Sequence, residues 1–136
     1  MTVWGAFYSR LSTDETILGY VQDEPIRIYP VQAPKDTALP NITIEVDGGD
    51  EDRTQVNDDN LVESGVQVTI WAKKHRTAEL IGNRVRALMS GQKWTGDSTN
   101  IQHCLLTFFS DMGTSERTQI YGIVMGFSIM WKGDDS

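Results

Sequence analysis

Between Gln119 and Trp131 the chain alternates with a period of two: Tyr121, Ile123, Met125, Phe127, Ile129 and Trp131 are all large and apolar, while Gly122, Gly126 and Ser128 lie between them. Successive side chains of a strand point to opposite faces, so this segment demands a sheet whose two faces differ. The large residues predict packing against a helix. The small ones predict a flat face, at Gly122 and Gly126, that another surface can approach closely, or else a bulge in a long twisted strand.

Further strands follow from the same pattern. Ile42–Val46 and Val66–Trp71 alternate as half-buried strands do, and Ile26–Tyr29 does so briefly before Pro30. The stretch from Pro30 to Pro40 carries three prolines, which deny donors to a sheet ladder and predict an edge strand followed by an extended connection. Ile101–Phe109 is apolar on both faces for most of its length, which predicts a central strand. Asp111–Arg117 reads as a polar turn, and Gly96, Asp97 and Ser98 as a loop.

Helical spacing appears in three places. Val3, Trp4, Phe7 and Leu11 place a bulky stripe on a first helix over about Val3–Leu11. Ser12-Thr13-Asp14-Glu15 matches a capping box that starts a second short helix over about Thr13–Val21, stopped by Asp23, Glu24 and Pro25. Ala78, Ile81, Val85 and Leu88 form the apolar face of a main helix whose opposite face carries Arg84 and Arg86, and Ser90-Gly91 closes it. The expected fold is therefore α+β: an antiparallel or mixed β-sheet of about four to five strands, one main α-helix packed on a face, and short N-terminal helices. At 136 residues and 39% hydrophobic content the chain has material for one core, so a single domain over 1–136 is expected, with a polar tail at 132–136.

Charge is concentrated. From Glu45 to Glu63 eight carboxylates face the single cation Arg53, a local balance of −7 that equals the net charge of the whole chain. Bracketed by two strands, this stretch reads as a long acidic hairpin loop over 47–60, too polar to order itself by collapse and suited to meeting a partner. Its Asp50, Glu51, Asp52, Asp58 and Asp59 are the candidate contact residues. The basic residues Lys73, Lys74, Arg76, Arg84, Arg86 and Lys93 read either as a solvated helix face or as a complementary patch for the acidic loop of a second copy.

Most chemistries find no support. His75, His103 and Cys104 have no zinc-ligand spacing, and no nucleophile elbow, phosphate loop or HExxH motif occurs. Asp47-Gly-Gly-Asp50-Glu51-Asp52 offers oxygen donors for calcium but lacks the EF-hand order of ligands and glycine. No catalytic residue, metal or cofactor is expected. The acidic balance argues against wrapping nucleic acid, although like charge can keep a channel wall from sticking to passing DNA. The lone Cys104 excludes an internal disulfide and fits synthesis in a reducing cytoplasm. No secretory signal is read at Met1–Gly5, and Ile120–Trp131 is short of the roughly 20 residues a membrane span needs, so no membrane association is expected.

Several words of the chain, in their order, carry a resemblance: Arg27-Ile28-Tyr29-Pro30, Pro34, Ala38-Leu39-Pro40 entering a strand, Val66-Gln-Val-Thr-Ile-Trp71-Ala72 running into a helix with Ala78 and Val85-Arg86, and the strand through Tyr121 and Phe127. Together they resemble the tail-completion or tail-terminator proteins of long-tailed bacteriophages and of related prophages and gene-transfer particles. The resemblance implies a small α+β subunit that closes into a ring, a hexamer in the better-known relatives. The ring would cap the tail tube in the virion, stop its polymerisation and dock to the head-side connector, with DNA passing through the lumen unbound. It implies no catalytic residue, and the acidic density of the 47–60 loop is not part of its pattern. Independently, an acidic hairpin, a flat strand face and a basic helix are three surfaces that one subunit leaves unsatisfied and a closed head-to-tail cycle would pair. The alternatives are a head-to-tail neck adaptor without terminator activity, or a small metal- or ligand-binding domain.

Overall fold

The structure, a computed structural model, describes residues 2–21, 26–34, 37–47, 62–114 and 120–133. The elements run α1 (Val3–Ser12), α2 (Glu15–Val21), β1 (Ile28–Pro30), β2 (Asn41–Asp47), β3 (Val62–Ala72), α3 (His75–Met89), β4 (Trp94–Gly96), β5 (Thr99–Thr114) and β6 (Tyr121–Gly133). Six strands form one mixed sheet in the order β1-β2-β3-β6-β5-β4. All pairs are antiparallel except β1 with β2. The sheet thus exceeds the four to five strands expected from the sequence.

The β3–β6 register aligns the two alternating patterns. Val66 faces Phe127, Val68 faces Met125 and Ile70 faces Ile123, with Ile42 and Ile44 of β2 continuing the rows. Every one of these residues is buried. They make the floor on which the helices pack: Val3, Ala6, Phe7 and Leu11 from α1, Ile17 and Val21 from α2, and Ala78, Ile81, Val85 and Met89 from α3. Leu88, expected in the stripe of α3, is only partly buried, and Met89 takes the core position. Gly82 lets α3 approach the sheet, since a Cβ there would meet the Phe109 ring at 3.3 Å.

Four boundaries differ from the sequence reading, each for a local reason. Ser12 is the last residue of α1, and the cap of α2 is Asp14, whose Oδ2 accepts the Ile17 N–H at 3.0 Å while its carbonyl accepts from Leu18 at 2.9 Å. The carboxylate is the stronger acceptor for these orphan donors, so the helix starts at Glu15 and no serine-based box forms. Trp94–Gly96 is a strand, joined to β5 by Asp97 and Ser98, whose φ values of 49° and 54° make the mirror-image turn that suits a tight hairpin. Asp97 also accepts from the backbone N–H and the hydroxyl of Thr2 at 2.9 and 3.1 Å, and Thr2 Oγ1 accepts from Gly5 to cap α1. At the other end of β5, Asp111 and Met112 belong to the strand and not to a turn. Lys132, expected in the polar tail, pairs with Asn100 in the sheet.

The words that carried the resemblance have structural work in this chain. Arg27 donates to the carbonyls of Pro40 and Tyr20, both at 2.9 Å, and its own carbonyl accepts from Ile42 at 3.0 Å. One side chain thus fastens α2, β1 and the entry to β2. Arg84 does the same for the helix layer: its Nη2 and Nε donate to the two oxygens of Asp14 at 2.6 and 3.1 Å, tying α3 to the start of α2.

The Arg84 side-chain hydrogen bonds hold the Asp14 carboxyl below its usual range, assisted by the Ile17 and Thr16 N–H groups and opposed by desolvation. A lowered folded-state value means that this contribution is present above the ordinary carboxylate range and is lost as pH falls through the folded value. Replacing Asp14 by Ala should cost about 1–3 kcal/mol at neutral pH, from the lost cap and the lost charged hydrogen bonds. Urea denaturation should show Asp14→Asn, which keeps a cap, at an intermediate value, and the gap between wild type and Asp14→Ala should shrink as pH falls below 4, roughly the ordinary carboxylate value.

Candidate interaction surface

The helices cover one face of the sheet; the opposite face carries the features that packing leaves unexplained. Its rows run Thr43, Thr69, Val124 and then Glu45, Gln67, Gly126, Phe108 across β2, β3, β6 and β5. Thr43 and Thr69 are buried with no helix above them. The cover comes from the face itself, where Val31, Trp71, Phe108 and Met112 stand around the threonine floor and enclose a hollow of about 300 Å³. A second, more open hollow of about 660 Å³ adjoins it toward Glu63 and Ser128, with Glu45 and Phe108 on the shared wall. Together they form a trough, apolar at one end and acidic at the other.

Gly122 and Gly126 lie in this trough, but not as the flat open surface expected of them. A Cβ on Gly126 would stand 2.1 Å from the Phe108 ring, and one on Gly122 would stand 2.9 Å from Trp71 and 3.2 Å from Met112. Both glycines are buried beneath side chains of neighbouring strands. Their role is to let these side chains lie flat across the sheet, as aromatic rings do over strand glycines.

The largest departure from the sequence reading is β5. Its two apolar faces predicted a central strand, yet beyond Ile101 it has β6 on one side only, because β4 pairs with just Thr99–Ile101. Leu105, Phe108 and Met112 are consequently 51%, 46% and 55% exposed. Register shifts between Ile101 and His103, Leu106 and Phe108, and Asp111 and Gly113 interrupt the ladder, which is how open edges are kept from pairing indiscriminately. Val31 adds to the exposed group at 64%, with a φ of 55° that a β-branched residue adopts only under strain. Strain and exposure at one apolar residue add nothing to the stability of the subunit.

The charged candidates fall into distinct places. Asp50, Glu51, Asp52, Asp58 and Asp59, like the calcium-like run after Asp47, lie outside the described residues. The ends of the acidic segment do not: Glu45 and Glu63 are strand residues, exposed on the trough face. Lys73 and Lys74 precede α3, Arg76 is in its first turn, and all three are exposed, with no acidic residue in that turn to balance them. Arg84 is not free to join them, being held by Asp14. Arg86 is exposed, but two positions from Arg84 it projects from a different side of the helix, so the basic residues of α3 do not make one patch.

His75 meets Asp111 at the start of α3, with the Tyr121 ring edge-on at 5.7 Å, and His103 is exposed on β5. Among the described residues no group of three or more His, Cys, Asp or Glu side chains is placed to hold a metal ion, and no helix is long and apolar enough to cross a membrane. Cys104 is buried; desolvation pushes its thiol up to about 12, only partly offset by Arg10, so it stays protonated. What the geometry of the described residues offers is surface.

That surface acquires a context from comparison with known proteins. The profile of the family described as Tail completion protein gp17 matches residues 5–132. The chain belongs to this tail completion family. It is accordingly a structural component of phage-like virions, at the tail. Among curated proteins none matches. A solved structure described as the virion of native gene transfer agent (GTA) particle contains a chain with the same fold, with a TM-score of 0.73 at 15% identity over 97% of this chain and 96% of that one. The match therefore includes the six-stranded sheet and the helix layer of this tail completion protein, and not only the helix-and-strand words legible in its sequence.

Because the Phe108 ring occupies the space above Gly126, Gly126→Ala should drive the ring off the sheet. The expected loss is about 1–3 kcal/mol in chemical denaturation. Pairing it with Phe108→Ala should recover part of that loss, since the added methyl then has room.

Proposed function

We propose that this tail completion protein is a terminator subunit: copies close into a ring, in the manner of a hexamer, at the head-proximal end of a tail tube, stop its polymerisation and join the tail to the head connector. The observation that carries this reading is β5. A strand with exposed Leu105, Phe108 and Met112 along an open edge, in a chain of the tail completion family, is suited to burial against other subunits and poorly suited to a solitary existence. No enzymatic step is part of the proposal.

In such a ring the acidic residues Asp50, Glu51, Asp52, Asp58 and Asp59 would serve as a lining that repels passing DNA, or as a joint to a neighbouring subunit. Either role uses charge for steering and exclusion more than for affinity. DNA would pass without specific contacts, and the partners would be the tail-tube protein, the head-connector protein and the chain itself.

Two measurements test this. Light scattering of the purified protein, alone and with tail-tube protein, should give a mass several times that of one subunit. Added to polymerising tube subunits, it should shorten or fix tube length; a ring that joins head to tail yet leaves tube length unchanged would mark a neck adaptor instead.

A further inference from the structure

Resting on the ring reading, we infer that the trough receives the exposed ridge of α3 from a second copy of the chain, so that neighbours join helix to sheet, head to tail. The ridge consists of Arg76, Leu80, Asn83 and Ala87, at spacings of three and four that keep them on one side of the helix. Leu80 is 39% exposed, the one large apolar residue of α3 so placed among the described residues. Lys73 and Arg76 put positive charge at the N-terminal end of this ridge, and the helix dipole adds to it.

The trough carries the complementary pattern. Glu45 and Glu63 supply negative charge at one end and Trp71 and Met112 supply apolar surface at the other, with Val31 along the side, its N–H bonded to the Ile44 carbonyl. The spacing agrees as well. Arg76 and Leu80 are separated by about 6 Å along the helix axis. Glu45, in the row of Phe108, lies two strand residues from the row of Thr69 and Val124 that floors the smaller hollow, a separation of about 7 Å. A cation and a leucine one helical turn apart can therefore meet a carboxylate and an apolar wall at once. The basic residues of the same face, His103 and Lys132, lie beside or beyond Glu63 and away from the apolar end.

Ridge and trough lie on opposite sides of the subunit, since α3 packs on the other face of the sheet. Joining them cannot satisfy both copies of a twofold pair, and the association must continue to a third copy until the cycle closes. The strain at Val31 fits this arrangement. The left-handed backbone there holds an apolar side chain at the rim of the trough, where a neighbour would bury it.

The test is charge reversal with mixing. Glu45→Lys with Glu63→Lys, and separately Lys73→Glu with Arg76→Glu, should each raise the concentration for half-assembly by about tenfold or more. An equimolar mixture of the two variants should assemble again, because each reversed surface finds its complement on the other chain. Independently, a Leu80→Cys, Met112→Cys double variant should form a ladder of covalent oligomers on mild oxidation, with each single variant giving dimers at most; buried Cys104 stays silent. If wild type assembles and both reversed variants assemble at the same concentration, the pairing is overturned while the ring stands. If each variant loses assembly but the mixture and the cysteine pair do not restore or trap it, the pairing is likewise wrong, and another virion subunit is the occupant of the trough. A wild type that stays monomeric at every concentration, with tail-tube protein present, overturns the ring itself.

Discussion

The structure depends on the alignment of β3 with β6. An uninterrupted antiparallel register from Val62 against Trp131 to Ala72 against Tyr121 puts the large residues of both strands on the same face. A shift of one residue would turn that whole set toward solvent, so burial under the helices and register enforce one another. The outer strands follow: β2 extends the apolar rows on one side and β5 on the other, and the helix layer settles on the surface they make.

The same alignment explains why the far face is available. Residues between the core positions are mostly threonine, glutamine, glycine, serine and glutamate on β2, β3 and β6, with Trp71, Val124, Met130 and Lys132 among them, and the helices pack on the opposite face. Two carboxylates and a set of apolar side chains can share this face because subunit stability does not depend on it. Arg84 and Arg27 show the opposite economy. Sequence reading places one on the polar face of a helix and the other in an edge strand, and both are spent on fastening elements together inside one subunit.

Much of this fold was legible in the residues. The period of two in β6 and the three-and-four spacings of α1 and α3 report a preference that tertiary packing reinforces, and the acidic bracket between β2 and β3 correctly marked a hairpin's two strands. The failures share a cause: periodicity reports which residues avoid water, but not whether the chain's own elements or another molecule will cover them. Ile101–Phe109 looks central by that measure and is largely an edge. β4 was invisible because three residues give no period, and its turn uses Asp97-Ser98 in place of the usual glycine. The glycines of β6 signalled close approach correctly, but the approaching groups are Phe108, Trp71 and Met112 of the same chain. The trough could not be read from sequence at all, since it is assembled from four strands and the Val31 turn.

The twist of the sheet has a geometric consequence for any helix-to-sheet cycle. The inclination of α3 to the strands beneath it fixes the angle through which each successive copy is turned, and six copies close only if that angle is about 60°. Residues that set how α3 sits on its own sheet, such as Gly82 beneath the Phe109 ring, would then act as a protractor for the particle. A change there that leaves the subunit folded could convert a closed circle into a rising spiral.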